Sequence, residues 1–406
     1  MKALVASIAV ALLVSGPLRA EDVWNEQRAV PDEAGSNAQF GSAASLDGSL
    51  ALFGADGENG SHGAAYFYAK GDSGWTELQR IVADDPNVAE FGYRAMLRDD
   101  IAIVTADMSG PNTGQGSAYV FSPDGSGSWV QTQMLSLADG TGFDNFGSAI
   151  ALDGDRLVIG AHGVVFGDNF GQGAAYAFAR SSTGFSQIQE IVADDGALND
   201  NFGNSAAMVG DTLFIGANGA TVDGAAFEGA VYAYAWDGEQ WQQVQKLTEP
   251  SGAQFDFFGI SLAFDGTTLM VGATESVGSP GSVYVFTNDG TSWVQQQRIS
   301  VDGINPGAGF GNAIALRDGG ALIGADIQTV DGFTSRGAAY LFGFDGSSWT
   351  LDHTFTSSDG TTDDFFGLAV DYDGTTALIS TLHPNGNQGA AYFYTHDTIF
   401  TDGFDG

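Results

Sequence analysis

The sequence predicts an all-β protein: a seven-bladed β-propeller of four-stranded antiparallel blades, the last blade closed by the N-terminal strand. Three observations predict it. A repeat runs seven times through the chain, one strand of each repeat is covered on both faces, and the two ends are complementary fragments of a single repeat. With 406 residues the chain can bury a sizeable core, in one large domain or several smaller ones.

The dipeptide Phe-Gly recurs with its Phe at 40, 91, 146, 202, 258, 310 and 366. A fixed period of this length signals a repeat architecture. Each Phe-Gly is followed by the same grammar. In the third unit it runs Phe146-Gly147-Ser148-Ala149-Ile150-Ala151-Leu152, then Asp153-Gly154, then Arg156-Leu157-Val158-Ile159-Gly160-Ala161. A variable loop, Gly173-Ala174-Ala175-Tyr176-Ala177-Phe178 and an aromatic-led segment ending in Gln complete it, as in Trp129 to Gln133 of the preceding unit. Every unit therefore offers four short strands. The Asp-Gly pairs at Asp47, Asp153, Asp265, Asp318 and Asp373 suit two-residue hairpin turns, whose central positions need positive φ. No window sustains a 3.6-residue apolar period, so helix is marginal.

The third strand decides the packing. One set of its alternating positions is aromatic throughout, from Tyr66 and Tyr68 to Tyr392 and Tyr394, and the opposite set is small, aliphatic or Phe, as at Ala118 and Val120. Successive side chains point to opposite faces, so both faces must be covered. A porin-type barrel would keep one face polar, whereas blades stacked around an axis cover both. The aromatic that opens strand four appears at Trp75, Trp129, Phe185, Trp241, Trp293 and Trp349, but the unit beginning at Phe366 has none. Trp24-Asn25-Glu26-Gln27 stands before the first unit as an orphan fourth strand, one residue shorter than its counterparts. Pairing it with the strand ending at Tyr394 closes the ring.

Composition bounds the function. The chain carries 50 acidic against 13 basic residues, a formal charge of −37, with 59 glycines and 43% hydrophobic residues. Such a surface repels phosphate backbones and anionic headgroups, which argues against nucleic-acid and peripheral membrane binding. Without cysteine there is no disulfide and no thiolate site. Residues 1–20 read as a signal peptide: Met1-Lys2, an apolar run from Ala3 to Val14, and a break at Ser15-Gly16-Pro17 ahead of Ala20. Residues 21–396 form the propeller and 397–406 a C-terminal tail. The mature chain is expected to be a monomer without membrane insertion, secreted or at the cell surface, with the periplasm as a further destination.

The seven units resemble the FG-GAP repeat family in its bacterial form, over residues 24 to 394. The Gly-Ala element of that pattern stands at Gly54, Gly160, Gly216, Gly272 and Gly324, but is Thr105-Ala106 in unit two and Ser380-Thr381 in unit seven. The resemblance implies a propeller like that at the head of integrin α chains, in secreted or surface proteins that bind other molecules. Integrin-type propellers hold calcium between strands one and two. Here those connections are tight turns without room for six to eight oxygen ligands, so that site does not carry over.

The long, varied, acidic loops join strand two to three and one unit to the next, and both classes emerge on one face of the ring. Function is expected there. Asp56, Glu58, Asp168, Asp223 and Asp326, with Asp107 and Glu228 in the same loop class, are candidate ligands for Ca²⁺. The alternative is a solvated anionic face. Asp144, Asp200, Asp256 and Asp364, each two residues before a Phe-Gly, are expected to stabilise turns. His62, His162 and His383 share one loop class without a metal-ligand spacing, and no Ser/His/Asp set or G-x-S-x-G elbow is present. The sequence therefore reads as a non-enzymatic binding or adhesion protein that presents acidic loops to an extracellular protein or polysaccharide. The alternatives are an extracellular hydrolase or lyase acting on the long-loop face, and a structural matrix component.

Overall fold

A computed structural model describes residues 23–33, 35, 37–108, 114–274, 278–382 and 388–397. The expected signal peptide, His383 and the tail beyond Asp397 lie outside the described residues. Seven four-stranded antiparallel sheets form the ring. Blade 3 is typical, with strands Phe146–Asp153, Arg156–Ala161, Ala174–Ser181 and Gly184–Ile191 in sequential order.

The seventh blade is built from both ends of the chain, in the order Val23–Ala29, Ala390–Asp397, Thr376–Thr381, Val370–Tyr372. Trp24 faces His396 across the ladder and Arg28 faces Tyr392. The missing residue of this strand has a structural counterpart. In the other six blades strand four carries a β-bulge: Gln189 faces Ala177 and Gln187 faces Phe178, with Ile188 left over. In the closing blade Gln27 faces Phe393 and Glu26 faces Tyr394 without interruption. Dropping the bulge residue accounts for the shorter spacing from Trp24 to Gln27.

Strands two and three are buried on both faces, whereas strand four alternates, as in Trp129–Leu135, because it is the outer edge. The core is accordingly divided into seven apolar clusters, each wedged between two neighbouring blades. Trp75 stacks on Phe393 with centroids 4.2 Å apart, and Phe67 on Trp129 at 4.5 Å. The strand-four glutamines add a clasp. Gln133 donates its amide to the Phe185 carbonyl at 2.7 Å and accepts from the Phe185 N–H at 2.8 Å. The same pair of bonds recurs from Gln27 to Trp75 and from Gln297 to Trp349. At the closing seam His353 replaces the glutamine, and the Trp24 ring lies against His353, Phe355 and His396.

The Phe-Gly motif also works between blades. The Gly173 backbone pairs with Phe202 of the next blade, and a Cβ on Gly173 would stand 2.1 Å from the Phe202 carbonyl oxygen. A Cβ on Gly160 would meet the Gly203 carbonyl oxygen at 1.9 Å. That carbonyl is held by a hydroxyl from the preceding strand one: Ser148 reaches Gly203 at 2.9 Å, Ser42 reaches Gly92 and Ser261 reaches Gly311. In blade 6 the Asn312 amide makes this contact, to the Gly367 carbonyl at 3.2 Å; blades 2 and 7 have neither a hydroxyl nor an amide there, and they are the blades with Thr105 and Ser380 in place of the Gly-Ala glycine. Thr105 donates to the Gly147 carbonyl at 2.9 Å, so the same contact is supplied from strand two.

The turns on the opposite face depart from the Asp-Gly reading. Only Asp318-Gly319 occupies both central positions of a two-residue turn, each with positive φ. Asp47 and Asp153 instead end their strands, and the turns are Gly48-Ser49 and Gly154-Asp155. Their freed carboxylates accept N–H groups of the next blade's turn, Asp99 and Gly210, both at 2.7 Å. Asp265 and Asp373 open four-residue turns and cap them through the Thr268 and Thr376 N–H groups.

Candidate functional site at the channel mouth

Strand one of each blade lines the central channel. Where the long loops emerge, the channel opens as a cavity of about 450 Å³ lined by Arg94, Asn204, Asn312 and Asp326 among small and aliphatic residues. The other end holds about 230 Å³ beside Arg98, Arg317 and Asp371. Three arginines on one channel are a concentration of positive charge in a chain of net charge −37.

Above the strands, the residue after the last position of strand two falls at the same place in every blade. In blades 1 to 4 it is Asp56, Asp107, His162 and Asn218. Asp56 Oδ1, Asp107 Oδ1, His162 Nδ1 and Asn218 Oδ1 are all buried without a hydrogen-bond partner. Buried polar atoms without a protein partner are uncommon in folded proteins, and four of them recur here at one repeat position. Burial pushes Asp56 up to about 6, with the Glu90 charge adding to it while the Ser42 hydroxyl and backbone N–H groups oppose it. Asp107 is pushed up to about 7, first by burial and then by the neighbouring Glu90 carboxyl. Burial, then the Arg94 charge, keeps His162 below its ordinary value and favours the neutral ring. Asp326, two blades back across the closing seam from Asp56, is pushed up to about 6 by burial.

Arg94 ties this group together. Its charge acts on both Asp107 and His162, and its guanidinium lies 4.4 Å from the Tyr93 ring. Tyr93 and Arg94 occupy the strand-one positions where other blades place the anchoring hydroxyl or amide. Because Thr105 carries that duty in blade 2, Arg94 is free of it.

The five carboxylates expected as calcium ligands do not converge. Asp56 and Glu58 stand on blade 1, Asp168 on blade 3, Asp223 on blade 4 and Asp326 on blade 6. The Glu58 carboxylate is engaged by Arg80 at 2.6 Å and by the Tyr66 hydroxyl. Among the described residues no three His, Asp or Glu side chains are placed to hold a metal ion. The residues present do not fit a calcium cage. His62 is exposed, its Nδ1 3.0 Å from the Asn59 carbonyl. The aspartates before the Phe-Gly pairs do stabilise turns: Asp200 accepts the Ala197 N–H at 2.8 Å and Asp144 accepts from Thr141 N–H and hydroxyl. Sequence reasoning missed Glu90, Arg94 and His162 as one group. The signal was the break in the strand-one pattern at Tyr93-Arg94, legible only when the seven units are aligned.

The buried acids give a pH dependence. A carboxyl raised in the folded state contributes stability that is fully present below its unfolded value near 4 and is lost as pH rises through its folded value. The melting temperature is expected to fall between pH 5 and pH 8, and Asp107→Asn is expected to flatten that fall by on the order of 2 kcal/mol at pH 8. Thermal melts of both proteins across this range check it; equal slopes would show that Asp107 is already ionised at pH 5.

The FG-GAP repeat profile matches five stretches: residues 129–178, 185–234, 241–286, 293–342 and 349–394. Each runs from strand four of one blade through strand three of the next, so the sequence repeat is offset by one strand from the structural blade. No curated protein matches the chain.

Proposed function

Since the chain belongs to the FG-GAP repeat family, we propose that it is an exported, non-enzymatic binding propeller whose long-loop face, centred on the channel mouth, takes an extracellular protein or polysaccharide. The observation that carries this reading is the exchange in blade 2. A structural hydroxyl moves to Thr105, and the vacated positions present Tyr93 and Arg94 beside Asp107 and His162. The Arg94 side chain takes no part in that anchoring contact and lines the cavity at the channel mouth. The apolar segment from Ala3 to Val14 supports export, and among the described residues no helix is long and apolar enough to cross a membrane.

Binding of the full chain to arrayed polysaccharides and to extracellular protein fractions tests the reading. Arg94→Gln is expected to weaken the captured ligand at least tenfold while leaving the melting temperature within a few degrees. A ligand held equally well by Arg94→Gln would move the site away from the mouth. The second reading, a hydrolase or lyase, draws on the Asp107 carboxyl, pushed up to about 7 beside Glu90, since a carboxyl held protonated near neutral pH can serve acid-base chemistry. Release of fragments by the native chain but not by Glu90→Gln would establish that reading instead.

A further inference from the structure

The narrow end of the channel, on the face of the short turns, is a cavity of about 230 Å³. Its wall is largely apolar, with Leu46, Leu152, Phe264 and Leu316 among its residues, and five polar side chains join them: Ser45, Arg98, Arg317, Asp371 and Tyr372. Three of the five are engaged. The Ser45 hydroxyl accepts the Leu97 N–H at 3.0 Å, and the Tyr372 hydroxyl donates to the Gly374 carbonyl at 3.0 Å. Asp371 accepts the Leu46 N–H at 2.6 Å on one carboxylate oxygen and the Tyr372 N–H at 2.8 Å on the other.

Arg98 and Arg317 differ from these three. Both are half-buried, and among the described residues neither guanidinium makes a hydrogen bond or an ion pair. They close strand one of blades 2 and 6, Ala95–Arg98 and Ile314–Arg317. At the same repeat position the other blades place Asp47, Asp153, Val209, Asp265 and Asp373. Those four carboxylates turn to backbone N–H groups of the turns, on Asp99, Gly210, Thr268 and Thr376, and not to the arginines. The two guanidinia address one part of the cavity from opposite sides of the ring, because both charges act on Asp371. Burial pushes that carboxyl up to about 6, against its two N–H partners and the two arginines.

The wall adds backbone donors. Asp371 and Ser45 each receive an N–H from strand one of the next blade, those of Leu46 and Leu97. In blades 3 to 5 that acceptor position holds Ala151, Ala207 and Ala263, so the corresponding N–H groups of Met208, Phe264 and Leu316 meet no side-chain acceptor there. Guanidinium groups pair with carboxylates and phosphates through parallel N–H bonds. The net charge of −37 does not forbid an anion here, because exposed charges beyond about 8 Å are largely screened at physiological ionic strength. We propose that the narrow end of the channel binds a small doubly charged oxyanion, a dicarboxylate or a phosphate, between Arg98 and Arg317. Two guanidinia match two negative charges, and the apolar wall suits the carbon spacer of a dicarboxylate. The site stands at the opposite end of the channel from the mouth and does not depend on the reading given for the mouth.

Calorimetric titration of the full chain with succinate, and separately with inorganic phosphate, tests the proposal at constant ionic strength set by sodium chloride. At least one of the two is expected to bind at one site per chain and to raise the melting temperature, and the tighter arm identifies the ligand class. Arg98→Gln and Arg317→Gln are each expected to weaken that binding at least tenfold, and the double variant to abolish it. Arg317→Lys keeps the charge without the planar fork and is expected to lose only part of the affinity. Val209 fills the same repeat position in blade 4, so the hairpin does not require arginine there, and thermal melts without anion check that each variant folds. Heat from neither anion overturns the proposal. Binding retained in full by the folded double variant overturns it as well, since the anion would then sit elsewhere on the chain.

Discussion

Gly173→Ala is expected to destabilise the ring by about 3 to 5 kcal/mol, among the largest effects of any single methyl group in this protein. Two costs combine. Gly173 has φ of +85°, where an L side chain is strained by about 1 to 2 kcal/mol. Its Cβ would also stand 2.1 Å from the carbonyl oxygen and 2.6 Å from the nitrogen of Phe202 in the adjoining blade. Neither contact belongs to a side chain that can swing away, so relief requires the blades to part. Gly154→Ala is the control, since Gly154 has φ of +57° but open space around it. It is expected to cost about 1 kcal/mol. Urea unfolding of the two variants separates backbone strain from contact between blades, and equal losses would mean that the blades yield there.

Removal of Val23–Ala29 is expected to abolish the single cooperative transition of the ring. The segment pairs along its whole length with Ala390–Asp397. Arg28 forms an ion pair with Asp359, Glu26 accepts from the Tyr394 and Ser358 hydroxyls, and Gln27 clasps Trp75 of blade 1. Without it, a strand carrying Tyr392 and Tyr394 becomes an open edge ready to pair with another chain. The shortened protein should melt early and run as oligomers on size exclusion, and a peptide of residues 23–29 added in excess should restore the monomer. Gln27→Ala, which removes only the clasp, should cost about 1 to 3 kcal/mol for two hydrogen bonds. A shortened chain that melts like the native one would remove the closing strand from the account of stability.

The architecture was legible because its determinants are local and repeated seven times. Aromatic alternation at Tyr176 and Phe178 reports burial on both faces, and the orphan segment at Trp24 reports closure. The turns were less legible, because Asp47 and Asp265 look alike in sequence while the number of residues before the next strand decides which N–H groups each carboxylate reaches. The five acids named for calcium stand on four blades, because acidity along a chain says nothing about convergence: Asp168 and Asp326 are both loop acids on different blades. The mouth group was hidden for the opposite reason. Glu90, Asp107 and His162 lie up to 72 residues apart and come from two blades, and only the stacking of blade 2 against blade 3 beside Arg94 brings them into one field.

The one-strand offset between the profile unit and the blade has a consequence for how such rings change size. A segment running from strand four through the following strand three is cut inside two different sheets, so inserting or excising a whole copy leaves a lone strand at the start and an incomplete sheet at the finish. Those two remnants are the halves of one seam whatever the number of copies between them. Unequal recombination within the gene can thus yield a six- or eight-membered descendant that still seals itself, with curvature rather than closure as the limit on ring size.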